Sequence, residues 1–79
     1  QLQYLPKGFH VDGIKSSGTY TQIDGDIKGL PAYPVWGIME VISNGNDVIQ
    51  RFNVTNGADD IVFCQRRFAL NEWSGWKKF

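Results

Sequence analysis

The side chains best suited to chemistry in this chain are arginines and aromatic rings. Arg51, Arg66 and Arg67 stand in strand-like runs, and a guanidinium is a planar fork of donors that fits phosphate and carboxylate. Tyr33, Trp36, Trp73 and Trp76 carry large rings that either stack on a saccharide or fill a core. Trp36, Tyr33, Arg66, Arg67, Trp73 and Trp76 are therefore the candidate ligand-binding residues. Each has a structural alternative. A domain this small needs aromatic area for packing, and Arg51 is placed to pair with Glu40 diagonally across a hairpin.

Catalytic and metal chemistry have thinner support. His10 and Cys64 are the sole histidine and cysteine, and no local signature joins them as a dyad. Cys64 lies mid-strand among apolar neighbours and reads as an inert buried thiol. One His and one Cys do not make a four-ligand zinc site. Asp24 and Asp26, in "DGD", resemble the start of a calcium loop, but the terminal Glu does not follow at the right spacing, so they read as turn residues. Asp59 and Asp60 read the same way. Asn53-Val54-Thr55 fits a glycosylation sequon, a pattern frequent by chance. No catalytic residue, metal ligand or cofactor is assigned, and the expected protein is not an enzyme.

The elements that position these residues are mainly β. "GTYTQI", Gly18 to Ile23, is a strand bounded by glycines. Asp24 to Pro34 is a Pro- and Gly-rich loop. "WGIMEVIS" and "NDVIQRFNVT" flank Asn44-Gly45, the dipeptide favoured in a two-residue type I′ hairpin turn. That tip pairs Val41 with Val48, Met39 with Gln50 and Gly37 with Phe52, with a longer loop of three to five residues as the alternative. Met39, Val41, Val48, Gln50, Phe52 and Val54 then share one face, and Ile38, Glu40, Ile42, Ile49, Arg51 and Asn53 the other. "IVFCQRRFAL", Ile61 to Leu70, is a further strand whose apolar face is interrupted by Arg66. The fold class is mainly β, with a small α+β arrangement as the alternative: a small antiparallel sheet, a central hairpin and a short N-terminal helical turn. Residues 1–17 read as an entry segment or linker and 18–79 as a single knob-like β domain. Trp73 and Trp76, three apart around Ser74-Gly75, read as a turn that folds back over the last strand.

Eight basic residues balance eight acidic ones, which argues against a binder that works by counterion release, so no nucleic-acid partner is expected. No apolar run reaches the ~20 residues of a membrane helix, and no membrane insertion is expected. A 79-residue chain with one cysteine has no intrachain disulfide, which leaves oligomerisation as its stabilising device. The opening Gln1 is expected to follow a longer upstream chain.

The order Gly18-x-Tyr20, "GLPAYPVWGIMEV", Gln50-x-Phe52, "FCQRRF" and "WSGWKKF" resembles the pyocin-knob-like domain of phage tail fibres, tail-fibre-like bacteriocins and related receptor-binding proteins. The likeness runs from Gly18 to Phe79. Gly29 to Pro31 stand in place of an Asn-Ala-Pro loop, and Met39 in place of a Leu. Trp73 and Trp76 match a closing Trp-x-x-Trp, and Arg66 or Arg67 a strand arginine. The resemblance implies a virion-tail, extracellular location and a non-enzymatic C-terminal module. It implies a homotrimer that contacts other tail proteins and helps attach to host cell-surface polysaccharide. The alternatives are a trimerisation knob without receptor contact and a cell-wall-binding domain of a phage lytic enzyme.

Overall fold

Alternation builds the centre of this molecule. In a computed structural model, which describes residues 2–22, 27–30, 35–57 and 60–79, Trp36 to Val41 alternate exposed and buried without a break. Val48 to Phe52 do the same on the next strand. The period of two puts Met39 and Val41 on the same side as Val48, Gln50 and Phe52, all buried. In chain order the elements are β1 (Leu2–Leu5), a 3-10 turn (Val11–Gly13), β2 (Gly18–Gln22), β3 (Trp36–Ser43), β4 (Val48–Asn56), β5 (Phe63–Ala69), β6 (Glu72–Trp73) and β7 (Lys77–Lys78). They form one sheet in the order β1-β2-β3-β4-β5-β6, with β7 also on β5. The fold is mainly β, as expected, with the central hairpin and the N-terminal helical turn in place. The sheet is mixed rather than purely antiparallel, because β1 runs parallel to β2.

One face of the sheet is covered, and among the described residues no α-helix covers it. Leu5, Val11, Ile14, Ile27, Leu30 and Val35 pack over Tyr20, Met39, Val41, Val48 and Phe52. The stretch read as an entry linker thus supplies β1 to the sheet and Leu5, Val11 and Ile14 to its core. A single sheet has to bury one face, and in a chain this short irregular apolar segments are the cover at hand. Asp24, Asp26 and Tyr33 lie outside the described residues.

The central hairpin keeps the expected faces with a different tip. Ser43 pairs with Val48, Val41 with Gln50 and Met39 with Phe52, so the register is two residues from that of a two-residue turn. A shift of two leaves every side chain on its own face. The longer loop wins because Asn44 caps it: its Oδ1 accepts from the N–H groups of Asn46 (3.1 Å) and Asp47 (2.8 Å). The two-residue turn lies elsewhere, between Ala69 and Glu72, where Leu70 (φ 54°) and Asn71 (φ 64°) both take positive φ. Glu40 and Arg51 face each other directly, yet each bonds elsewhere. Arg51 donates to Gln65 Oε1 and Glu40 accepts from Asn53 Nδ2.

Candidate functional site

On β5, alternation sends Cys64, Arg66 and Phe68 toward the core side and Gln65 and Arg67 to the other. Arg66 is thus a cation on an apolar face, with its side chain 7% exposed. Everything around it answers that burial. Its Nε donates to Gln50 Oε1 at 2.9 Å, across the β4–β5 ladder where these residues pair directly. Its Nη2 donates to Asp12 Oδ1 at 2.6 Å. Its guanidinium carbon lies 3.9 Å from the Trp73 ring centre and 4.6 Å from that of Trp76.

Gln50, fully buried, extends the network inward. Its Nε2 donates to the carbonyls of Val11 (2.8 Å) and Ile14 (2.9 Å), both in the segment that caps the core. The Trp76 indole N–H donates to Gly29 O at 2.9 Å, which ties the tail to the Lys28–Leu30 stretch. Gly29 has φ +91°, and a Cβ there would meet His10 and Val11, so only glycine fits the close approach. One clasp therefore joins the entry segment, two central strands, the mid-chain loop and the tail. Burial pushes the Arg66 guanidinium below its ordinary value, and the Asp12 carboxylate opposes that shift. Asp12 is held in turn by His10, whose Nδ1 accepts from the Asp12 N–H at 3.1 Å.

The tail returns to β5 twice and leaves a gap. Ser74 N–H donates to Arg67 O at 2.8 Å, and Ser74 Oγ accepts from Arg67 N–H at 3.0 Å. Three residues later Lys77 pairs with Gln65, and Lys78 pairs with Cys64. Gly75 and Trp76 span the interval opposite Arg66. The result is an open groove of about 420 Å³ walled by Gln65, Arg66, Arg67, Ser74, Gly75, Trp76 and Lys77.

Of the residues proposed from sequence, Arg66, Trp73 and Trp76 come together, as a buried cation between two half-buried rings. Arg67 lies beside them on the exposed side. Trp36 stands apart: it pairs with Asn56, six residues along β4 from Gln50, which is roughly 20 Å of strand. Tyr33 lies outside the described residues. Sequence reading missed Asp12 and the structural role of Gln50. The signal for Gln50 was present, since it and Arg66 each interrupt an apolar face at what proves to be one paired position. Asp12 carried none, because its partner is 54 residues away.

Among the described residues no group of three or more His, Cys, Asp or Glu side chains is placed to hold a metal ion, and no helix is long and apolar enough to cross a membrane. Comparison with protein-family models, curated proteins and solved structures finds no match to this chain.

Proposed function

We propose that the chain is a non-enzymatic attachment module of a phage tail fibre or baseplate receptor-binding protein, working as a homotrimer at host cell-surface glycan. The observation that carries this reading is the convergence of its ordered motif. Gln50, Arg66, Trp73 and Trp76, four of the polar and aromatic members of the resemblance to pyocin-knob-like domains, interlock in one clasp, and Trp76 holds Gly29 of the variant loop. Residues spread over 48 positions meet as a unit, which supports treating them as one inherited motif rather than scattered matches. The outer face supports association: Ile38, Ile42 and Ile49 are exposed there beside Leu2 and Tyr4.

Two measurements test the reading. Light scattering of the purified chain at micromolar concentration should give three times the monomer mass. Pull-down on intact bacteria and on isolated lipopolysaccharide and teichoic acid should show saturable binding. A stable monomer that binds no envelope polysaccharide refutes the proposal. A trimer that binds none favours the trimerisation knob.

A further inference from the structure

The groove at the tail is rich in donors and, among the described residues, holds no acid. Arg67 and Lys77 wall it from neighbouring strands, diagonal to each other because Lys77 pairs with Gln65 and Arg67 lies two residues further along β5. Neither side chain has a hydrogen bond or ion pair among the described residues. The Gln65 carbonyl oxygen is used by Arg51, which leaves its amide N–H₂ as the spare group. Among the described residues no Asp or Glu lines the groove. A site with two unpaired cations and a spare amide donor selects an oxygen anion.

The groove also has an aromatic wall that is already immobilised. Trp76 is fixed by its bond to Gly29 O and by the Arg66 guanidinium, so a ligand resting on it orders little that is free. Gly75, with nothing within 4 Å of where a Cβ would stand, leaves the approach open. Ser74 lines the groove with its hydroxyl already engaged, accepting from the Arg67 N–H and donating to Gly75 O.

We infer that this groove binds an acidic saccharide, a sugar unit bearing phosphate or carboxylate, with Arg67 and Lys77 holding the anion and Trp76 walling the ring. The inference rests on the attachment reading and gives it a site and a ligand class. Arg66 lines the back of the groove, but its Nε and Nη2 are committed to Gln50 and Asp12 in the clasp, so the anion is left to Arg67 and Lys77.

The test is calorimetric titration of the wild-type chain with a hexosyl-phosphate polysaccharide, polygalacturonate, neutral dextran and a single-stranded oligonucleotide. At least one acidic polysaccharide should bind about tenfold or more tighter than dextran, and the tighter of the two identifies phosphate or carboxylate as the anion. Arg67→Gln with Lys77→Gln should weaken that binding roughly 100-fold, tenfold for each cation, with an unchanged melting temperature. If the double variant melts early, a salt titration of the wild type decides, and affinity unchanged up to about 1 M salt overturns the inference. Wild-type affinity in a well-folded double variant overturns it too, as does tighter binding of the oligonucleotide. Binding of dextran alone removes the acidic ligand and leaves the attachment reading standing. Binding of no polysaccharide removes both.

Discussion

Replacing Gln50 by leucine should destabilise the domain although it makes the core more apolar. Gln50 is fully buried and makes three hydrogen bonds. Without them the Val11 carbonyl keeps the Ile14 N–H at 3.1 Å. The Ile14 carbonyl and the Arg66 Nε–H lose the partners described above. Each buried group left unsatisfied costs about 1–3 kcal/mol, with the charged donor at the upper end. The added apolar character returns about 1 kcal/mol. The net loss is about 3–5 kcal/mol, out of a total of roughly 4–12 kcal/mol for a chain of this length. With a urea slope of about 1 kcal/mol per molar, the unfolding midpoint should fall by about 3–5 M. Tryptophan fluorescence suits the assay, since Trp73 and Trp76 stack on the arginine that Gln50 holds. Adding Arg66→Met removes the orphaned donor, and Asp12, half exposed, rehydrates. The double variant should therefore be more stable than Gln50→Leu alone. A Gln50→Leu midpoint within about 0.5 M of wild type, or above it, refutes the account of the clasp.

Other substitutions probe other links. Leu70 is 94% exposed at φ 54°, so Leu70→Gly should raise stability by about 0.5–1 kcal/mol in thermal melts. Gly37 sits at the β3 bulge, where an added Cβ would collide with the backbone carbonyl of Asn53; Gly37→Ala should cost about 3 kcal/mol in urea unfolding. Ending the chain before Trp73 removes half of β6, all of β7 and both rings over Arg66, and cooperative unfolding by circular dichroism should be lost. Burial raises the Cys64 thiol above its ordinary value of 9.0, opposed weakly by Lys78. The unfolded chain then gives up that proton at lower pH than the folded one. The contribution is intact below pH 9.0 and is lost as pH rises through the folded value, so Cys64→Ala should flatten the alkaline fall in stability relative to wild type.

Where period two governs, the sequence was readable. The inward set Met39, Val41, Val48, Gln50 and Phe52 follows from alternation alone, and it survived an error of two residues in the turn because a shift of two preserves faces. At the turn the longer loop that the sequence also allows prevails over the two-residue one, because Asn-Gly is a preference and the Asn44 side chain finds two N–H groups to cap. The positive-φ turn at Leu70-Asn71 gave no strong signal, since leucine avoids that region; the pairing of β5 with β6 imposes it. β1 was invisible for a similar reason. Leu2 to Leu5 is short, its partner β2 lies beyond a 3-10 turn, and a parallel pairing leaves no hairpin in the sequence.

Arg66 and Arg67 show what composition alone does not separate. Both are arginines beside tryptophans, and in sequence they are equivalent candidates for one anion. One step along a strand reverses the side of the sheet, and with it the chemistry. Arg66 meets Gln50, Asp12 and two rings, so its donors are turned to holding the fold together and its charge is already answered. Arg67 bonds Ser74 through its backbone and leaves its guanidinium uncommitted beside Lys77. The tail serves both. Trp76 packs on the inner arginine and walls the groove next to the outer one. A change at Trp76 must therefore disturb stability and binding together, whereas Arg67→Gln should touch binding alone, and the contrast between the two separates the clasp from the site it supports.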